Sequence, residues 1–471
     1  MATSTECPPH PGSLLESLRN LGYSLGAAIA DLIDNSITAS ASNIEIYHDF
    51  DQSPPRIAIV DDGKGMTPEE LFKAMRMGSS SPLDCRSPND LGRFGLGLKT
   101  ASFSQARRFT VISRRDGVWT GARWDLDQLD ESWRLDLLDE EEAGSVPWVD
   151  TIQGDGTMVL LEKLDRLGGK QLKRITPKAL LKEMESARDH LALVFHRYIA
   201  GKSASHISIN INNYPVEPFD PFFERHQATQ RLNSLAVKIG SDKAAIMPYI
   251  IPHFSKLSGS ERDMIKKYGG QSKTQGFYVY RNQRLLAWGS WFGLLRQKRE
   301  ASGLARIRVD ISNAMDHQWG IDVMKSKAVF PEVVKDEMRV VLDRIEGASV
   351  RTYTSRGQRL SEADPYPLWQ REVSNSGVKY LIDHDHPLLK AFSRKLSADG
   401  VREMNSLLSL IEERMPIEAI YNDRLGDNID GSSPVDDGER KEKYQQMLTL
   451  LLESGHDREQ AERILERFFK E

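Results

Sequence analysis

The run Gly92-Arg93-Phe94-Gly95-Leu96-Gly97-Leu98-Lys99-Thr100-Ala101-Ser102 constrains this 471-residue chain more than any other stretch. Glycines at 92, 95 and 97 leave backbone N–H groups uncovered where the chain turns. The residues that follow read as a helix whose positive N-terminal end points at the same spot. A turn of this kind can cradle an anion such as phosphate, and Lys99 adds charge beside it. The same spacing also serves as a plain strand-to-helix turn, so its meaning depends on what the rest of the chain supplies.

Two upstream stretches bear on that meaning. Apolar residues recur at helical spacing from residue 13 to 41 (Leu14, Leu18, Leu21, Leu25, Ala28, Leu32), as one long helix or one broken at Gly22. Ser13 and Glu16 stand in capping-box spacing at its start. Its second half carries Asp31 and Asn35, four residues apart and therefore on one face, where polar groups beside an apolar stripe need a partner or water. Residues 43–48 and 56–60 alternate or run apolar as strands, and the second ends at Asp61-Asp62-Gly63-Lys64-Gly65-Met66. A carboxylate at a strand end with two glycines after it is placed to accept a hydrogen bond from a ligand lying close to the backbone. Thr67 and Glu70 cap a short helix with Pro68 at its first position. Between that helix and the glycine-rich turn, residues 77–91 are rich in Ser, Pro, Asn and Asp and read as a mobile lid.

In this order and spacing the three stretches resemble the GHKL ATPase superfamily, which includes gyrase B, the ATP-dependent heat-shock chaperone, histidine kinases and mismatch-repair MutL. The wording AIADLIDNS, VDDGKGM and LGRFGLGLKTAS is most similar to the microrchidia ATPases and their bacterial relatives. The resemblance implies a GHKL (Bergerat) ATP-binding α/β sandwich in residues 1–170 and a β-α-β transducer domain in 171–346. It implies a mainly helical C-terminal region, 347–471, for a dimer or partner contact. ATP and Mg2+ are the implied cofactors. Carried over by position, Asn35 binds the metal and Asp61 reads the adenine amino group. Gly63, Gly65 and Met66 lie at the base, Gly92, Gly95, Gly97 and Lys99 hold the phosphates, and Thr157 of Gly156-Thr157-Met158-Val159-Leu160 helps hold Asp61 and its water. An asparagine carbonyl suits a magnesium ion bound mainly by phosphate oxygens, because it adds a ligand without another negative charge.

The general base falls on Asp31, where the family normally carries glutamate. One methylene less withdraws the carboxylate by about 1.5 Å, a displacement expected to slow turnover. Asp34 is an outside candidate. A lysine sent back to the γ-phosphate from the transducer would be Lys325, or else Lys327, after Trp319-Gly320-Ile321-Asp322-Val323-Met324. The implied function is an ATPase whose nucleotide state gates dimerisation of a clamp on DNA or a partner complex. Bacterial members of this type are associated with restriction-modification or antiviral defence. A chaperone-like clamp on polypeptide and a slow or idle nucleotide-binding scaffold are the alternatives.

Composition bounds the rest. A net charge of -5 means that any nucleic-acid surface must be a local patch, for which Arg281, Arg284, Arg296, Lys298, Arg299, Arg306 and Arg308 near Trp288 and Trp291 are the candidates. Glu300 and Asp310 interrupt it. No apolar run approaches the roughly 20 residues of a membrane span, which points to a soluble cytoplasmic protein. Cys7 and Cys85 are too few for a disulfide framework or a metal site. Residues 347–376 read as a polar linker, 388–411 as two helices broken at 398–400, 422–438 as an acidic loop, and 443–452 with 458–469 as a helical hairpin. His384-Asp385-His386 reads as a turn rather than a metal site.

Overall fold

Gly22, at a backbone φ of +82°, divides the N-terminal helical pattern in two. Helix α1 (Pro11–Arg19) is capped by His10, whose ring accepts from the Ser13 N–H, and not by Ser13 as the spacing indicates. Pro11 occupies the first turn, where a missing N–H costs nothing. Helix α2 (Leu25–Thr38) is capped by Ser24 and buries Leu25, Ala28, Ile29, Leu32 and Ile33. The computed structural model describes residues 4–5, 7, 9–20, 22–50, 54–79, 91, 95–129, 133–167, 170–171, 176–202, 206–239, 242–294, 303–320, 330–332, 334–335, 338, 342, 368–374, 377–415 and 437–469. They fall into two compact units, one of Met1–Pro252, Thr274–Lys298 and Leu304–Ile345, the other of His253–Lys273, Arg299–Gly303 and Glu346–Glu471.

In the first unit, β1 (Asn43–Asp49), β2 (Arg56–Asp61), β3 (Ala106–Arg115), β4 (Val118–Asp125), β5 (Asp136–Leu138) and β6 (Gly156–Leu164) belong to one mixed sheet. A small ribbon of β7 (Arg166–Leu167) and β8 (Lys170–Gln171) follows. The large sheet is completed by β9 (Ser208–Ile211) and β10 (Tyr214–Pro215), in the order β10-β9-β1-β2-β6-β3-β4-β5. Only β1 and β9 pair in parallel; the other neighbours are antiparallel. The strands β9 and β10, which the sequence places in a second domain, therefore extend the first sheet.

Both faces of this sheet are covered, which explains why β2 reads as a continuous apolar run. Ile57 and Ile59 point into the core shared with α1, α2, α4 (Gly97–Gln105) and α6 (Pro177–Val194). Ala58 and Val60 point to the other face, onto Ala143 of α5 (Glu140–Gly144), Val146, Val149 and Ile152. The layers are those of the expected α/β sandwich. Helix α3 (Pro68–Met75) has the capping box read from the sequence, with Thr67 and Glu70 bonded to each other's backbone N–H groups. Helices α2 and α6 meet at Gly26, where an added Cβ would lie 2.9 Å from the His190 Cβ and 3.1 Å from the Ala187 Cα.

A second sheet in the same unit contains β11 (Gln230–Arg231), β12 (Leu235–Ile239), β13 (Asp242–Ile250), β14 (Gly276–Arg281), β15 (Arg284–Ser290) and β16 (Ala305–Ile311). Its order is β11-β13-β16-β14-β15, with β12 paired to β13 and with β14 and β16 parallel. Phe277, Tyr278, Val279 and Tyr280 of β14 are all buried, so this central strand is also covered on both faces.

The second unit holds a hairpin of β17 (Trp369–Ser374) and β18 (Gly377–Ile382) where the sequence reads a polar linker. Its helices Pro387–Ser393 and Ala398–Glu413 separate at residues 394–397 rather than 398–400, because the Ser397 hydroxyl caps the second of them. The His386 ring accepts the Leu388 N–H at 3.2 Å and caps the first, in keeping with a turn. Helices Asp437–Glu453 and Arg458–Phe469 form the expected hairpin, and Leu448, Leu451, Ala461, Ile464 and Leu465 pack with Ala391 in its core. Most of the acidic loop, at 422–436, lies outside the described residues. Among the described residues no helix is long and apolar enough to cross a membrane.

Gly26→Val inserts a branched side chain between α2 and α6, and is expected to destabilise the protein by about 2–3 kcal/mol. Urea denaturation, read as a lower transition midpoint, checks this.

Candidate functional site

A cavity of about 340 Å³ opens between α2, the ends of β2 and β6, and the start of α4. Leu32, Ile59, Val111 and Val159 give it an apolar floor. Asp31, Asn35, Asp61, Gly65, Met66, Gly95, Gly97, Lys99 and Thr157, each singled out in the sequence, also line it. Gly63 stands at its edge and donates its N–H to Asp61 Oδ1 at 3.0 Å. Gly92, Lys325 and Lys327 lie outside the described residues, as does most of the lid.

One end of the cavity is organised by Asp61, the last residue of β2 and the register partner of Thr157 on β6. Its Oδ2 accepts the Ser36 hydroxyl at 2.7 Å. Burial pushes its pKa up, against the lowering effect of the Ser36 and Gly63 hydrogen bonds and of the Thr157 backbone N–H. Asp62 next to it shows the opposite outcome. Its partial desolvation is outweighed by hydrogen bonds from the Asn43 and Ser42 N–H groups and the Ser42 hydroxyl, and its pKa falls. One carboxyl faces the cavity and the other locks a loop. The Thr157 hydroxyl shares a 3.0 Å hydrogen bond with Ser113, whose oxygen also accepts the Met66 N–H at 2.8 Å.

The glycines divide by what requires them. Gly65 has a φ of +65°, and a Cβ there would sit 2.0 Å from the Arg114 carbonyl oxygen, so the packing of the turn on β3 already demands glycine. Gly97 is different: an added Cβ would meet nothing within 4 Å, and the open space belongs to the cavity. Helix α4 begins here with Leu96 as N-cap, no side-chain capping bond and no acidic residue in its first turn. By contrast, α1, α2, α3 and α6 are capped by His10, Ser24, Thr67 and Thr176. Orphan N–H groups and a positive helix end therefore face a space that no atom of the described residues fills.

Lys99 does more than add charge. It is buried, and its ammonium donates to the carbonyls of Ala74 at 2.8 Å and Gly95 at 2.7 Å, tying the end of α3 to the glycine-rich loop. Desolvation brings its pKa down to about 8.

At the centre, Asp31 is 2% exposed while Asn35, one turn on, is exposed at the cavity mouth. Asp31 Oδ2 accepts the Tyr23 hydroxyl at 2.8 Å, and its Oδ1 faces Arg284 Nη2 at 3.4 Å. Arg284 Nε donates to Asp34 Oδ1 at 2.8 Å. Burial and the nearby Asp31 raise the Tyr23 pKa. Arg284 thus belongs to a buried ion-pair network, not to a basic surface. Arg281 clamps Asp316, and Arg306 bonds the Thr274 hydroxyl and the Ala305 carbonyl; both are buried. Arg308 pairs with Glu224 and Asp310, and Arg296, Lys298 and Arg299 lie outside the described residues. Tyr23, Ser36, Ser113 and Arg284 were not read from the sequence as part of this site. For Arg284 a signal existed, since two arginines flanking a two-residue turn face each other and each needs an acid.

This fold and this cavity define a GHKL-type ATPase domain, and residues 23–156 match the family described as "Histidine kinase-, DNA gyrase B-, and HSP90-like ATPase". The domain is of the kind carried by microrchidia ATPases and MutL. The chain is 32% identical over 94 residues to ATPase morc-1 of Caenorhabditis elegans, covering 20% of this chain and 11% of that protein. It is 31% identical over 99 residues to ATPase MORC2B of Mus musculus, covering 20% and 9%. To the DNA mismatch repair protein MutL of Rhodospirillum rubrum it is 36% identical over 101 residues, covering 21% and 16%. The matched stretch is thus no more than 16% of the length of these relatives.

The depressed pKa of Lys99 gives a pH signature. Its folded value of about 8 lies below the ordinary 10.5, so between those values the unfolded chain holds more protons and stability rises with pH, by at most ~3 kcal/mol. Lys99→Met is expected to lack this rise. Urea unfolding of both proteins from pH 7.5 to 10.5 measures the difference, and a gap that does not change with pH counts against a desolvated ammonium.

Proposed function

We propose that the protein is a magnesium-dependent ATPase whose ATP-bound state gates dimerisation of a clamp acting on DNA or a partner complex. The observation that carries ATP binding is the polarity of one cavity: a buried acceptor, Asp61, at one end and the uncapped start of α4 with its open Gly97 at the other. A purine amino group donates to the first, and phosphate oxygens accept from the second. Asn35 and Asp31 lie between them along α2.

The residues present fit a magnesium ion. Asn35 is exposed and lines the cavity, so its amide oxygen is a neutral, hard ligand. Among the described residues no group of three His, Cys, Asp or Glu side chains is placed to hold a metal by itself, which suits an ion held mainly by phosphate and water. Asn35 would hold the ion beside the phosphates, where it would neutralise part of their charge. Asp31 orients the attacking water and accepts its proton, Lys99 keeps the glycine-rich loop closed on Ala74, and the apolar floor excludes bulk water. Lys325 or Lys327 is the proposed γ-phosphate contact, and the second sheet the proposed transducer.

Action on DNA draws support from the likeness to MutL, a DNA mismatch repair protein. The defence role implied by the resemblance belongs to the same reading. A slow or idle nucleotide-binding scaffold is favoured by one observation: both oxygens of Asp31 are already engaged by Tyr23 and Arg284.

Two measurements test the reading. Solution mass, taken with and without magnesium and a non-hydrolysable ATP analogue, is expected to double in the native protein and not in Asn35→Ala; a native mass indifferent to bound nucleotide overturns gated dimerisation. Asp61→Asn is expected to weaken nucleotide binding by at least ~10-fold while leaving thermal stability unchanged or raised, since a neutral amide replaces a buried carboxyl. Calorimetric titration and melting on the same sample separate these effects.

A further inference from the structure

The turn between β14 and β15 has two residues, Asn282 and Gln283, at φ values of 48° and 73°. This conformation matches the twist of a two-residue hairpin, but glutamine rarely adopts it, so the surroundings hold the turn in shape. The Tyr198 hydroxyl donates to the Asn282 carbonyl, and the Asn282 N–H donates to the Ile311 carbonyl at 3.2 Å.

The turn sets Arg281 and Arg284 opposite each other in register. Both are buried. Arg281 takes Asp316 through two bonds of 2.6 and 2.7 Å, and its Nη1 donates to the carbonyl of Leu91, just ahead of the glycine-rich run. Arg284 takes Asp34 at 2.8 Å and reaches Asp31 at 3.4 Å. Asp31 lines the cavity and Arg284 does not. The guanidinium therefore approaches the carboxylate from behind.

We propose that Arg284 is a positioning residue for ATP hydrolysis, holding the Asp31 carboxylate towards bound nucleotide only while the β14–β15 hairpin is docked on α2. The proposal rests on the reading of Asp31 as the base. With Arg284 Nη2 at 3.4 Å from Asp31 Oδ1 and the Tyr23 hydroxyl at 2.8 Å from Oδ2, the carboxylate is held in one orientation. A base one methylene short also tolerates less misalignment than the usual glutamate, so fixing it from behind has direct value.

The test compares steady-state ATP turnover and separately measured nucleotide affinity in Asp31→Asn, Arg284→Met and Arg284→Lys. Asp31→Asn checks the underlying reading: turnover is expected to fall at least ~100-fold with affinity kept. If it turns over like the native protein, the base lies elsewhere and that reading fails, whatever Arg284 does. With Asp31→Asn inactive, Arg284→Met is expected to lower kcat at least ~10-fold and to keep affinity within about threefold. Arg284→Lys is expected to recover part of the rate. A native or raised kcat in Arg284→Met overturns the proposal. Should Arg284→Met fail to fold, the double variant Arg284→Met, Asp34→Asn removes one charge of each sign and takes its place. The same loss of kcat is then expected, and native turnover overturns it.

Discussion

Helix α2 carries two carboxylates, Asp31 and Asp34, into a place where water cannot solvate them. Charges in that position persist only when paired, and one partner, Arg284, comes from 250 residues further along the chain than Asp34. The pairing is a constraint on the whole first unit. It requires the β14–β15 hairpin to end against α2, and Arg281 on the same hairpin extends the grip to Leu91. An apolar trio of similar volume often stabilises a core at least as well as a buried ion pair. That the chain keeps charges here argues that they serve the cavity and not the fold alone.

The cavity shows the same economy. Neighbouring groups of one chemical type are sent to different tasks by their surroundings. Asp61 is desolvated and faces the ligand space, whereas Asp62 is saturated by N–H donors and fixes a loop. Gly65 is required by a carbonyl of its own protein, whereas Gly97 keeps open a space that belongs to whatever binds. Lys99, the one cation in the glycine-rich run whose side chain is described, spends two of its three donors on backbone carbonyls and so shapes the loop as well as charging it.

Much of this was legible in the sequence because it is local. The strand ending at Asp61, the Thr67 capping box, the face of α2 bearing Asp31 and Asn35, and the glycine-rich start of α4 all depend on residues within a few positions of each other. What escaped depends on distant partners. Nothing near Ser208–Ile211 says that this strand pairs in parallel with β1, because register across such a gap is set by tertiary packing. Likewise an arginine in a basic stretch looks the same whether it meets solvent or a buried aspartate, and only the long-range contact distinguishes Arg284 from a surface cation. The caps at His10 and Ser397 were missed for a smaller reason: several residues near each helix start were chemically able to cap, and geometry chose among them.

The parallel pairing of β1 with β9 also has a temporal side. A chain made from its N-terminus produces β1 and β2 early, yet the edge of β1 finds its neighbour only when residues 208–211 have emerged, and α2 meets its arginine only after residue 284. Until then the nascent segment presents an open strand edge, a feature that invites wrong pairing or capture by a chaperone. Over half of the chain must be synthesised before the nucleotide cavity has all of its walls fixed, so the ribosome, more than the finished fold, sees this domain at its most vulnerable.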